Sequence, residues 1–260
     1  MKINEILIKE PDKRIIDTSK RNPKELLNII KTECSDAFQS FVQDKRALYK
    51  GFNGKFPDIW ITDPKLSKRK SANTSNYYTL LFSNLPSWRR FPRRDSSLIC
   101  TTNSMVAGNY SGMFGGLYII FPVNGSKIGI CSHNDMWSQS LIDLNDDGPS
   151  DFNEALQQSG LSSNSFNALI SSCVQHKAQL IATLGAWKLS LEMIDRLQLC
   201  KTSDDFLKFF NLMLSPTRNN FHLTTIKNIV KIPTNRECWT DGKSYLVKDN
   251  SKLADSLRTI

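Results

Sequence analysis

Residues 93–122, RRDSSLICTTNSMVAGNYSGMFGGLYIIFP, constrain the fold more than any other stretch. A basic doublet and a Ser pair lead into Leu98-Ile99-Cys100-Thr101-Thr102, a short apolar run that ends in hydroxyls. Met105-Val106-Ala107 leading to Tyr110 is spaced as a helix turns, and the glycines at 112, 115 and 116 break it. Residues 117–121 are an almost unbroken apolar run, stopped by Pro122. This order predicts a strand, a hydroxyl-bearing strand end, a short helix, a glycine turn and a buried strand. An ordinary strand whose Thr residues simply favour pleated backbone has the same signature.

The flanking segments supply the rest of the elements. Residues 1–20 alternate Ile and Leu with charges and read as a loose arm or an edge strand. Asn22-Pro23-Lys24-Glu25 is a helix start, with Asn as cap and Pro in the first turn, and the apolar spacing predicts one helix, or two broken near Ser35, over 23–43. Ala47-Leu48-Tyr49-Lys50-Gly51 reads as a strand ending in a glycine turn, and Asp58-Ile59-Trp60-Ile61-Thr62 as another. Residues 77–82 fit helix or strand equally. Asn124-Gly125 signals a hairpin joining 117–121 to 127–131, and 145–149 read as a turn that lacks the ligand spacing of a calcium loop. Residues 151–215 carry apolar stripes at helical spacing, predicting three or four helices. Beyond them, 221–227 and 229–232 read as strands, 240–243 as a hairpin turn into a strand at 244–247, and 249–260 as a frayed tail.

Length and composition exclude several classes. At 260 residues the chain can bury a full core, as one large domain or as a domain with a helical subdomain. No apolar run approaches the roughly 20 residues of a membrane span, so no membrane partner is expected. The start, MKINEILIKEPDKR, lacks the apolar centre of a signal peptide. The six cysteines (Cys34, Cys100, Cys131, Cys173, Cys200, Cys238) are scattered, which argues against a disulfide framework and a clustered zinc site and fits a reducing, cytoplasmic setting. With His133, His176 and His222 as the full set of histidines, no metal site is assigned. The nucleophile elbow of hydrolases, the phosphate-cradling Gly-Lys-Ser/Thr loop and the dinucleotide fingerprint are all absent, which argues against a Ser hydrolase, an NTPase and a Rossmann dehydrogenase.

Charge is unevenly placed. Of a net +9, eight cations lie in residues 65–94 (Lys65, Lys68, Arg69, Lys70, Arg89, Arg90, Arg93 and Arg94), with no acid among them. Tyr77, Tyr78, Phe82, Trp88 and Phe91 are interspersed. Cations attract phosphate and exposed aromatics stack on bases, so the mixture suits RNA or single-stranded DNA. A solvated basic rim over buried aromatics gives the same pattern.

Three pieces in order resemble the ADP-ribosyltransferase family: Leu48-Tyr49-Lys50-Gly51, where the family commonly has Arg-Gly or His-Gly; Thr101-Thr102 with Ala107 and Tyr110; and a late Glu237 in Asn235-Arg236-Glu237-Cys238-Trp239. Together they span about 47–125 and 222–247. The resemblance implies NAD as co-substrate. It implies Glu237 as the catalytic carboxylate on the ribose 2′-hydroxyl and Thr101 or Thr102 as its brace. Lys50, Gly51, Arg69, Thr101 and Tyr110 would contact NAD, Tyr110 near the nicotinamide, with Arg69 as a guanidinium that Lys50 does not supply. Asn235 would orient the acceptor. The family usually has Glu or Gln at that position, Glu for arginine acceptors, so arginine modification is less supported. Phage and bacterial members include toxins and anti-phage effectors, some of which modify nucleic acids. Such a role implies RNA or single-stranded DNA held by Arg89, Arg90, Arg93 and Arg94, and an antitoxin or chaperone protein as a further partner.

The sequence therefore predicts an α+β, ADP-ribosyltransferase-like fold with a split, mostly antiparallel sheet. Its expected parts are an N-terminal helical lead at 1–45, core strands at 46–150, a helical insert at 151–215 and final strands at 216–260. The expected activity is transfer of ADP-ribose from NAD to a nucleic acid. A protein-modifying transferase and a non-enzymatic single-stranded nucleic-acid-binding protein are the alternatives.

Overall fold

A computed structural model describes residues 15–17, 22–66, 68, 76–136, 139, 141–144 and 149–259. In chain order the strands and helices are β1 (Ile15–Asp17), α1 (Pro23–Glu33), α2 (Ser35–Gln43), β2 (Leu48–Phe52), β3 (Ile59–Thr62), α3 (Tyr77–Asn84), β4 (Leu98–Thr101), α4 (Ser104–Gly108), β5 (Gly116–Pro122) and β6 (Lys127–Ile130). There follow α5 (Pro149–Gln158), α6 (Phe166–Gln175), α7 (Lys177–Ala186), α8 (Leu191–Leu199), α9 (Ser203–Met213), β7 (His222–Thr225), β8 (Glu237–Thr240), β9 (Ser244–Lys248) and α10 (Lys252–Arg258). The fold is α+β. The chain divides into two compact units, one from Met1–Arg69, Ser96–Ile130 and Leu223–Ile260, the other from Lys70–Asp95 and Cys131–His222.

The first unit carries an open sheet. Antiparallel pairs join eight strands in the order β1-β3-β9-β5-β2-β4-β8-β6, and β7 lies beside β6 at the edge. The central strand β5 is fully buried from Tyr118 to Phe121, as its continuous apolar run requires. Helix α1 starts on Asn22, whose side chain accepts the Lys24 N–H, and buries Leu26 and Ile30. It breaks at Cys34, whose thiol donates to the Phe121 carbonyl at 3.2 Å. Helix α2 then packs Phe41 edge-on against Phe121, with centroids 5.6 Å apart.

Four expectations about this unit are corrected. The Asn124-Gly125 turn does not close a hairpin, because β2, β4 and β8 lie between β5 and β6. Residues 240–243 likewise join strands that are not neighbours: β8 pairs with β4 and β6, and β9 with β3 and β5. Turn chemistry reports a local reversal but not which strands pair after it. Residues 226–231 form a 3-10 helix rather than a strand, burying Ile226 and Ile229 at its i, i+3 spacing. The tail is not frayed: Ser251 caps α10, which buries Leu253, Ala254 and Leu257.

The second unit is helical. It is wider than the insert expected at 151–215, since it begins at Cys131 and also takes Lys70–Asp95. Residues 77–82 resolve to helix within α3. Helix α9 opens with a capping box between Thr202 and Asp205 and buries Phe206, Phe209, Phe210 and Met213. Lys177 places its ammonium 2.6 Å from the Gln198 and Cys200 carbonyls, satisfying the C-terminal end of α8. Residues 145–148, expected as a turn, lie outside the described residues.

Candidate active site

Three strands that the sequence singled out stand side by side as β2, β4 and β8. Their register forms one cross-strand row, in which Tyr49 is opposite Thr101 and Thr101 is opposite Glu237. The Thr102 N–H donates to the Arg236 carbonyl at 3.1 Å, which makes 102/236 a hydrogen-bonded pair. By alternation Thr101 and Glu237 are a non-hydrogen-bonded pair, the kind whose side chains stand closest, with Cα atoms about 4.5 Å apart. Glu237 is only 7% exposed and Thr101 6%. A carboxylate so placed is expensive to bury unless it is partnered.

The turn before Glu237 is fastened to the end of β4. The Thr102 hydroxyl donates to the Pro233 carbonyl at 3.2 Å and accepts the Arg236 N–H at 3.0 Å. Within that turn Asn235 has φ +66°, a left-handed conformation that Asn tolerates better than most residues. Its side-chain Oδ1 is buried with no hydrogen-bond partner among the described residues. Arg46, in the loop between α2 and β2, donates through Nη2 to the Ile232 carbonyl on the other side of the turn.

The β4 end is equally constrained. The Thr101 hydroxyl accepts the Asn103 N–H at 3.2 Å, and the Asn103 side chain caps α4 by accepting from Met105 and Val106. Helix α4 then runs against β2 at Gly51, where a Cβ would meet the Ala107 carbonyl oxygen at 2.0 Å. Tyr110 follows α4, its N–H donating to the Ala107 carbonyl, with its side chain 41% exposed.

Not every expected residue joins this row. Lys50 is opposite Tyr118, and strand alternation sends it to the face of β2 opposite Tyr49. Its ammonium lies 5.2 Å from the centre of the Phe52 ring. Its charge still acts on the neighbouring row: burial pushes the Cys100 thiol up to about 12, Lys50 opposes this, and Glu237 adds a smaller upward push. Arg69 lies outside the described residues. Arg89, Arg90, Arg93 and Arg94 belong to the helical unit, whereas Glu237 belongs to the sheet unit. Of the four, Arg89, Arg90 and Arg93 are exposed, Arg93 in a two-bond ion pair with Asp95 at 2.9 and 3.1 Å, and Arg94 is buried. Of the interspersed aromatics, Phe91 is half-buried and the other four are turned from water. Tyr77, Tyr78, Phe82 and Trp88 are buried, Trp88 stacking on Phe82 at 4.1 Å and donating from its indole to the Leu214 carbonyl.

Sequence reasoning missed Tyr49 and Arg46 as members of this neighbourhood. Burial raises the pKa of the Tyr49 phenol, Asp249 adds to this, and Arg258 and Arg46 oppose it. A signal for Tyr49 was its place one residue before Lys50, since a one-residue step in a strand exchanges the two faces. Nothing in the sequence pointed to Arg46. Comparison with protein-family models, with curated proteins and with solved structures finds no match.

Proposed function

We propose that the chain transfers ADP-ribose from NAD to a macromolecule, with Glu237 as the catalytic carboxylate. The observation that carries this reading is the cross-strand pairing of Thr101 with Glu237, on strands whose ends are joined by Thr102. These bonds link positions more than 130 apart in the chain, and both partners belong to pieces on which the resemblance to ADP-ribosyltransferases rests. In the reaction the bond between nicotinamide nitrogen and the ribose carbon breaks, and its electron pair leaves with nicotinamide. Positive charge develops on the sugar, and an acceptor nucleophile forms the new bond and gives up a proton. Glu237, accepting a hydrogen bond from the ribose 2′-hydroxyl, stabilises that charge as it forms. Thr101 and Thr102 fix the carboxylate's backbone, and Asn235 offers an amide to the acceptor from the preceding turn.

For the acceptor we favour RNA or single-stranded DNA. The support is the net charge of +9 and the exposed guanidinium groups of Arg89 and Arg90. Burial of Tyr77, Tyr78, Phe82 and Trp88 takes their rings out of this argument and leaves it mainly electrostatic. The test is incubation of the protein with NAD labelled on its adenylate phosphate and, separately, RNA, single-stranded DNA and protein pools. Label in a nucleic-acid pool with matching nicotinamide release is the expected result. Label in the protein pool alone would transfer the acceptor to protein. No label and no nicotinamide release would overturn the enzyme reading and leave a binding module.

A further inference from the structure

We propose that Arg46 is a positioning residue that holds the acceptor-side turn, residues 232–236, in place for Glu237; this rests on the transferase reading above. The turn is anchored on two sides by side chains from different parts of the chain. Thr102 binds it from the end of β4, at the Pro233 carbonyl and the Arg236 N–H. Arg46 binds it from the loop ahead of β2, at the Ile232 carbonyl. The Arg46 backbone is itself fixed, since its N–H donates to the Ser40 carbonyl at 3.0 Å, and Lys45 before it takes φ +53° to make the reversal out of α2. Ile232 is buried, so its carbonyl is shielded from water and a charged donor there is stronger than a neutral one.

The arrangement explains two features of the turn. Among the described residues, 232–236 have no strand pairing apart from the 102/236 contact, and they contain Asn235 in a left-handed conformation. Thr102 binds the turn at Pro233 and Arg236, and Arg46 binds it at Ile232. Displacement of a reacting group by about 1 Å can cost about 100-fold in rate, so a second anchor has a functional consequence beyond stability. Arg46 also bears on Tyr49, which begins the row leading through Thr101 to Glu237.

The test compares Arg46→Met, which keeps the stem but removes the guanidinium, with Arg46→Lys, which keeps the charge. Amide hydrogen exchange is measured without NAD on peptides covering 232–238 and on control peptides covering 116–122 and 244–248. Nicotinamide release is measured in parallel. Arg46→Met is expected to raise exchange in 232–238 at least tenfold while the control peptides stay unchanged. It is also expected to lower kcat about tenfold with little change in the KM for NAD, and Arg46→Lys is expected to recover part of both. Unchanged exchange in 232–238, or an equal rise in the control peptides, would overturn the positioning role. Should Arg46→Met not fold, Arg46→Lys alone decides: an ammonium on a shorter stem does not reproduce the guanidinium's reach and planarity, so it must still raise exchange in 232–238 selectively. Absence of nicotinamide release by the unmodified protein would fall on the transferase reading, and the exchange result would still decide whether Arg46 holds the turn.

Discussion

Thr102 and Arg236 exchange two hydrogen bonds, the Thr102 N–H donating to the Arg236 carbonyl at 3.1 Å and the Arg236 N–H donating back to the Thr102 hydroxyl at 3.0 Å. The same hydroxyl donates onward to the Pro233 carbonyl, so one side chain sets the path of the chain into Glu237. Thr102→Val keeps the shape but leaves the Arg236 N–H and the Pro233 carbonyl without this partner. The expected cost is about 1–3 kcal/mol in chemical denaturation. Thr102→Ser keeps the hydroxyl and is expected to restore most of the loss. Equal stability of the Val variant and the unmodified protein would show that water replaces the hydroxyl.

Glu237→Gln removes charge from the row without changing its size. Nicotinamide release is expected to fall about 100- to 1,000-fold, the usual effect of deleting one electrostatic stabiliser of a transition state. Circular dichroism should be unchanged. Full activity in a folded variant would exclude Glu237 as the catalytic carboxylate.

The legible parts were those specified by local chemistry. Asn22-Pro23 marked the start of α1, the hydroxyl-ended run marked β4, and the apolar run before Pro122 marked β5. Glu237 and the two Thr residues were named from the family resemblance; strand pairing sets Thr101 opposite Glu237, and Thr102 bonds the residue before it. Pairing partners were not legible. Asn124-Gly125 and the 240–243 turn both looked like hairpins, but β6 and β9 take other neighbours, a choice made by burial across the whole sheet. The role of Arg46 depends on a contact 186 positions away, which no local pattern encodes. Among the aromatics at 77–91, the same residues suit a base-stacking surface or a core, and burial of Trp88 against Phe82 and Phe221 decides for the core.

Two glycines near the row should respond in opposite senses. At Gly51 an added Cβ would lie 2.0 Å from the Ala107 carbonyl oxygen and 2.8 Å from the Ser111 nitrogen, both backbone atoms that cannot rotate away. Gly51→Ala is expected to destabilise by about 1–3 kcal/mol, as other overpacked sites do. Gly108, the last residue of α4, has nothing within 4 Å of an added Cβ. Gly108→Ala is expected to be neutral or to stabilise by about 0.5–1 kcal/mol, through lower entropy of the unfolded chain. Denaturation midpoints of the two variants measure the contrast, and equal effects would contradict the close approach of α4 to β2.

Buried thiols give a signed pH dependence. Burial pushes Cys34, Cys100 and Cys173 up to about 12 from the ordinary thiol value of 9.0. Below that ordinary value the thiols are neutral in both states. As pH rises above it the unfolded chain loses these protons while the folded chain keeps them, so the unfolded state binds fewer protons and stability falls until the folded thiols ionise near 12. Cys100→Ala is expected to flatten this alkaline decline measurably, at some cost in stability at neutral pH from removal of the sulfur. An identical alkaline slope in the variant would show that Cys100 does not contribute to it.

Two adjacent exposed arginines make the basic segment testable. Arg89, Arg90 and Arg93 are exposed and Arg94 is buried; Arg93 is ion-paired with Asp95, so Arg89 and Arg90 are the pair chosen for reversal. Reversal of both to Glu is expected to weaken binding to RNA or single-stranded DNA. The log–log salt dependence should become shallower by about 0.7 for each phosphate that is no longer neutralised. Reversal of Arg94 tests something different, since a buried carboxylate there would disturb folding before it touched binding. In the transferase reading Glu237→Gln leaves binding and its salt slope intact while ending modification. The measurement is a titration of labelled oligonucleotide at several salt concentrations with each variant. If reversal of Arg89 and Arg90 leaves affinity and slope unchanged, these guanidinium groups are a solvated face. Protein would then be the better-supported acceptor, because the remaining case for nucleic acid would be net charge alone.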